Sequence, residues 1–197
     1  MTDLPFRPFV WLDYRLALLF MVILPLILLI WAFIEESQAA QRLLIIYWRV
    51  ASLLMITLYL MIPAWGISFI TSIIARLLIP ISLWFWVDLN DDIKDLSDRP
   101  FKWVLTTWRW AVSLYSLIGA IATFPFIRCA ISSTDLATPF CKVWFEQPWL
   151  YQQIFHSNSK PGFLGFLGMI GLFFYILYFA SFLLLKLPKQ GRSAMEQ

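Results

Sequence analysis

The chain reads as an all-α integral membrane bundle of about five transmembrane helices, and three observations carry that reading. Hydrophobic residues fill 61% of its 197 positions and charged residues only 14%, where a soluble domain averages about 25% charged. Several apolar runs exceed the ~18 residues that mark a candidate membrane span. Eighteen phenylalanines and eleven tryptophans are more than one soluble core of this size needs. Residues 1–197 therefore form a single membrane domain. A net charge of +3 without a basic run gives nucleic acid nothing to bind, so the partners to expect are membrane lipids and other integral membrane proteins.

Residues 1–15 interleave Phe6, Phe9, Trp11 and Tyr14 with Arg7 and Arg15, a mixture suited to a short interfacial segment in the aromatic belt. The first span is 16–34, uncharged, with Pro25 inside and Glu35 and Glu36 closing it. Ser37-Gln38-Ala39 resembles a signal-peptidase site. The preceding apolar run is too long for a signal core, so it reads as a retained span.

The next two spans depend on where the chain turns. A turn at Pro63-Ala64-Trp65-Gly66 gives spans 43–62 and 67–87 and puts Arg76 near the middle of a ~30 Å core. A turn at Thr71-Ser72 gives 50–70 and 73–87, and Arg76 then snorkels from one turn deep. Proline and glycine break helices more strongly than Thr-Ser, which favours the first register slightly. A mid-membrane arginine costs ~2.5–3.5 kcal/mol on insertion scales and marks a functional site by default. No Asp or Glu falls inside any of the expected spans, so Arg76 is expected to lack an in-chain acid at its own depth.

The link from Asp88 to Lys102 is strongly charged. A fourth span follows at 103–127, with Trp108-Arg109-Trp110 near its start and Pro125 near its exit. The longest loop, 128–162, holds Cys129, Cys141 and an aromatic segment from Val143 to Phe155 that is too polar to span and suits the interface. The last span is 163–185, followed by Lys186, Lys189 and Arg192. Arg49, Arg76 and Arg109 are the intramembrane or interfacial charges.

Five spans put the two ends on opposite sides. The side holding the 88–109 link and the C-terminal tail carries eight or nine basic residues against five, which makes it cytoplasmic by the positive-inside rule. Loop 128–162 is then lumenal or periplasmic, where a Cys129–Cys141 disulfide can persist. Closing that loop is worth roughly 3 kcal/mol in the chain-entropy model.

Several motifs invite sharper readings. The order of proline-bearing span, acidic end and Trp-Arg occurs twice, so a two-plus-two internal repeat with a fifth helix is one option. Prolines 25, 63, 80 and 125 mark the first four spans as kinked, which packing explains more often than a site does. Gly162, Gly165, Gly168 and Gly171 give the fifth span a broad smooth surface for helix packing. Asp88-Leu89-Asn90-Asp91-Asp92 begins like a calcium loop, but Ile93 and Arg99 stand where glycine and glutamate are required. Asp91, Asp92 and Asp95, with Asp98 beyond, match the DDxxD pattern that holds magnesium for a diphosphate; a solvated acidic connector is the simpler reading. No Ser-His-Asp set, HExxH, phosphate loop or CxxC occurs, and the lone His156 lies in a loop. Neither a catalytic residue nor a cofactor is assigned.

The stretches RPFVWLDYRLA (7–17), YWRVASLL (47–54), LIPISLWFWVDLNDD (78–92) and TWRWAVSLY (107–115) together resemble a family of multi-pass cyanobacterial membrane proteins known as a domain of unknown function. The resemblance covers most of residues 5–125. It implies a photosynthetic organism and a thylakoid or plasma membrane, and it implies no activity. The leading expectation is a non-enzymatic accessory, scaffold or assembly protein of a photosynthetic membrane complex. A small anion or solute transporter using Arg76, and a magnesium-dependent prenyl-diphosphate enzyme using the aspartates, are the alternatives.

Overall fold

A computed structural model describes residues 5–96 and 100–194, apart from the Gln190 side chain. Among the described residues, five helices are long and apolar enough to cross a membrane: α1 (Arg7–Ile34), α2 (Gln38–Met61), α3 (Ile67–Trp84), α5 (Pro100–Ile131) and α7 (Pro161–Lys189). Among the shorter helices between them are α4 (Val87–Asp95) and α6 (Glu146–Phe155). The fold is an all-α membrane bundle, with α3 the most enclosed of the long helices and α7 the least.

The turn between α2 and α3 falls at 62–66, where Ala64 takes φ 59° and Trp65 N–H reaches back to Leu60 O. The Thr71-Ser72 register is thereby excluded. Both residues lie inside α3, and the Thr71 hydroxyl donates to Ser68 O and meets the Thr57 hydroxyl at 2.9 Å. A buried hydroxyl with two partners has no reason to break its helix. Gly66 lets this turn sit on the next segment, because a Cβ there would lie 2.8 Å from Cys129 O.

The first helix begins earlier than the uncharged run, at Arg7 with Pro8 in its first turn, so residues 7–15 are helically continuous with the span rather than a separate segment. Within it, residues Leu18–Ile23 widen into a π turn just before Pro25. The wide turn and the missing N–H of Pro25 disturb the backbone ladder here, and two side chains serve carbonyls in the gap. Tyr47, fully buried, donates to Met21 O at 2.7 Å, and Trp108 Nε1 donates to Phe20 O at 2.9 Å. Helices α1, α2 and α5 are joined at this point by hydrogen bonds to backbone, which hydrocarbon surroundings favour strongly.

Of the four prolines, Pro25 sits at the π turn and Pro80 inside α3, whereas Pro63 lies in the turn and Pro125 in a 3-10 turn, Phe124–Ile127. Pro25, Pro80 and Pro125 therefore fall within long helices, whereas Pro63 lies in the turn between two of them. On α7, Gly165, Gly168 and Gly171 meet Pro63, Leu60 and Ile56, at distances a Cβ would shorten to 2.5, 3.2 and 3.3 Å. Close approach is what these glycines allow. Gly162 has nothing within 4 Å of its would-be Cβ and does not belong to that surface.

The cysteine side of the bundle is closed by a lid. Cys129 and Cys141 are joined as a disulfide with Cα atoms 6.0 Å apart. Val143, Trp144 and Phe145 are buried beneath it with Phe69 and Phe126. Helix α6 then leaves Ile154 and Phe155 outward. The opposite, C-terminal side carries α4, whose apolar Leu89 and Ile93 are buried and whose Asp91, Asp92 and Asp95 face out. In the first turn of α4, half-buried Asp88 accepts from Ser193 Oγ and from Ala194 N–H.

Candidate functional site: an ion pair inside the bundle

Arg76 lies at the middle of the 18-residue α3 helix, and its side chain is 6% exposed. A guanidinium there needs a partner, because hydrocarbon offers it none. The partner is Asp13 on α1: Nη2 of Arg76 donates to Asp13 Oδ2. The expectation that no acid of this chain could meet Arg76 at its own depth is overturned. It failed because Asp13 was placed in an interfacial segment, whereas the helix that carries it runs unbroken into the span.

Two more residues complete the arrangement, both on α5. The Tyr115 hydroxyl lies 2.7 Å from Asp13 Oδ1 and 2.7 Å from the Asp13 carbonyl, while its ring sits 5.5 Å from the guanidinium carbon of Arg76. One turn further on, Gly119 presents bare backbone to the guanidinium. A Cβ at this position would stand 1.7 Å from Arg76 Nη1, so α5 can approach only because the side chain is absent. Residues four apart on a helix share a face, which is how Tyr115 and Gly119 address one ion pair. The neighbouring Tyr14 donates to Trp144 O at 2.8 Å and lies 3.0 Å from Met61 Sδ, tying the ion-pair turn of α1 to the lid.

The pairing changes what Arg76 can do. With a carboxylate, a tyrosine and a helix backbone around it, the charge acts first as a three-helix junction. Nε and Nη1 of Arg76 are buried without a hydrogen-bond partner among the described residues, so part of its donor capacity remains open.

Arg109 and Arg49 sit in different surroundings. Arg109 is 3% exposed and caps the end of α3: Nη2 donates to Leu83 O at 2.7 Å and to Asn90 Oδ1, and its guanidinium lies 4.2 Å from the Trp84 ring centroid. A cation on the terminal carbonyls of a helix is favoured by its dipole. Arg49 is exposed and donates to the Tyr178 hydroxyl at 3.3 Å. These two arginines occupy equivalent positions in the suggested repeat, yet one is a buried cap and the other faces outward.

The aspartates form no site among the described residues. Asp91 pairs with Lys94 at 2.9 Å on the solvent face of α4, and no group of three or more His, Cys, Asp or Glu is placed to hold a metal ion. Asp91, Asp92 and Asp95, the weak magnesium candidates, all lie exposed on α4. Asp98 and Arg99 lie outside the described residues. His156, at the end of α6, meets the Tyr59 hydroxyl at 2.9 Å.

The family model described as "Protein of unknown function (DUF3177)" matches residues 7–195. The chain belongs to the DUF3177 family. The match begins at the first residue of α1 and takes in Asp13, Arg76, Tyr115, Gly119 and both cysteines. Neither a curated protein nor a solved structure matches this DUF3177 chain.

Proposed function

We propose that this DUF3177 protein is a non-enzymatic membrane accessory or scaffold that holds another integral membrane protein against its last helix. The observation that carries the reading is the outer face of α7. Phe163, Phe166, Ile170, Phe173 and Leu177 recur at alternating spacings of three and four, and each is 38–59% exposed. That alternation is the seam on which one helix packs along another. The span of α7 is only 11% buried within the chain, against 50% for α3, while Gly165, Gly168 and Gly171 anchor its inner face.

A centre fastened by Asp13, Arg76 and Tyr115 suits a rigid platform better than a moving pathway. The photosynthetic setting, in a thylakoid or plasma membrane with the C-terminus cytoplasmic, rests on the family resemblance and the charge distribution. Affinity capture from mild detergent, followed by mass spectrometry, should recover a stoichiometric integral membrane partner. Phe166→Ala with Phe173→Ala should lose it without unfolding the chain. A wild-type chain that comes out alone would refute the scaffold.

A solute pathway past Arg76 is the second reading, favoured by the two guanidinium nitrogens without a hydrogen-bond partner among the described residues. It expects anion flux in liposomes that Arg76→Lys alters. Absence of flux from folded protein would remove it.

A further inference from the structure

A groove of about 150 Å³ opens on the lipid-facing surface between α2, α3 and α7. Its walls are apolar, with Ile46, Ile81, Phe85 and Phe182 among them, and its two charged side chains are Arg49 and Lys186. Among the described residues, no Asp or Glu lines it. We infer that this groove binds one anionic phospholipid from the leaflet facing the C-terminal tail, with Arg49 and Lys186 gripping its phosphate.

The helix geometry brings the two cations toward one headgroup. Gly168 against Leu60 and Gly171 against Ile56 set α7 antiparallel to α2, and the Arg49–Tyr178 hydrogen bond continues that alignment. Lys186 lies two turns beyond Tyr178, about 12 Å along the axis. Each Cα–Cβ bond tilts toward its own helix N-terminus. On antiparallel helices, Arg49 therefore leans toward the interface while Lys186 leans back from it. A phosphate between them would be held from above and below.

Two local features keep the groove open. Residues Phe182–Lys186 form a π turn, a widening often found where a helix makes room for function. Across the groove, Pro80 precedes Ile81 and Ser82 inside α3. At the rim, Arg192 donates to Phe85 O at 2.9 Å and lies 5.3 Å from the Phe85 ring centroid, adding a third cation. The nearby carboxylate Asp88 is engaged by Ser193 and Ala194. Ile81, Tyr178 and Leu183 are 55%, 48% and 41% exposed, so the groove is open sideways for acyl chains. Cations at a membrane surface over an apolar slot are the complement of an anionic lipid, since each adds affinity for its negative headgroup.

The test uses the full chain in neutral detergent, titrated with phosphatidylglycerol or with phosphatidylcholine and read by native mass spectrometry. One phosphatidylglycerol should be retained in preference to phosphatidylcholine. Arg49→Ala with Lys186→Ala should weaken that retention by about tenfold or more, while Arg49→Lys with Lys186→Arg should keep it. Both positions are exposed, so the fold should tolerate either pair of changes. Equal retention of the two lipids would overturn the assignment, as would an unaffected double-alanine variant. An equal loss on Arg15→Ala, an exposed arginine on α1 rather than at the groove, would also overturn it.

Discussion

Gly119→Ala should destabilise the bundle although it replaces the poorest ordinary helix former with the best. The added methyl would lie 1.7 Å from Arg76 Nη1 and 2.8 Å from Cζ, so the guanidinium must swing away and release Asp13. Separating a buried pair costs ~3–5 kcal/mol; the Asp13 side chain is 20% exposed, which argues for the lower end. Alanine's helix propensity returns up to ~1 kcal/mol. A net loss of about 2 kcal/mol is expected, measured by reversible unfolding in mixed micelles with increasing dodecyl sulfate. The control is the same change in an Asp13→Asn, Arg76→Met background, where only the propensity gain remains and alanine should be neutral or stabilising. If Gly119→Ala matches or exceeds the wild type with Arg76 intact, the close approach of α5 to the guanidinium is wrong.

Tyr47→Phe should cost ~1–3 kcal/mol, because the Met21 carbonyl is left buried without its donor. Adding Pro25→Ala should recover part of that loss by restoring a backbone N–H near the π turn, as the same unfolding assay would show. Replacing Cys129 and Cys141 by serine should lower stability by roughly 3 kcal/mol. It should also loosen the lid first, seen as faster hydrogen exchange over 128–145 than in α3.

The spans and their order were legible because membrane length and hydropathy constrain them so tightly. Pro63 and Gly66 chose the turn correctly, for one cannot extend the helix and the other must lie flat on Cys129. Arg76 stood out by its cost in hydrocarbon. Its partner did not, since Asp13 sits among Trp11, Tyr14 and Arg15, a composition that reads as interfacial when taken locally. The signal available was the absence of any breaker between Pro8 and Pro25, which lets one helix carry Asp13 inward. Tyr115 and Gly119 were missed for another reason. Their four-residue spacing is informative only once a guanidinium is known to face it. The glycine series on α7 drew notice by number, yet Gly162 has no neighbour to accommodate while the isolated Gly119 touches a charge. Number of glycines is a poorer guide than what stands opposite each one. The paired Trp-Arg segments likewise suggested equivalence, but tertiary surroundings made Arg109 a helix cap and left Arg49 on the outer surface.

The claim on which the rest depends is that Asp13 neutralises Arg76 within the bundle, and a double-mutant cycle measures it directly. Asp13→Asn and Arg76→Gln are compared singly and together by unfolding in mixed micelles. Each single change should cost more than ~2 kcal/mol, because it leaves the other charge buried alone. The double variant should recover much of that loss, giving a coupling of about 2 kcal/mol or more. Single variants as stable as the wild type, with effects that simply add, would contradict the pairing.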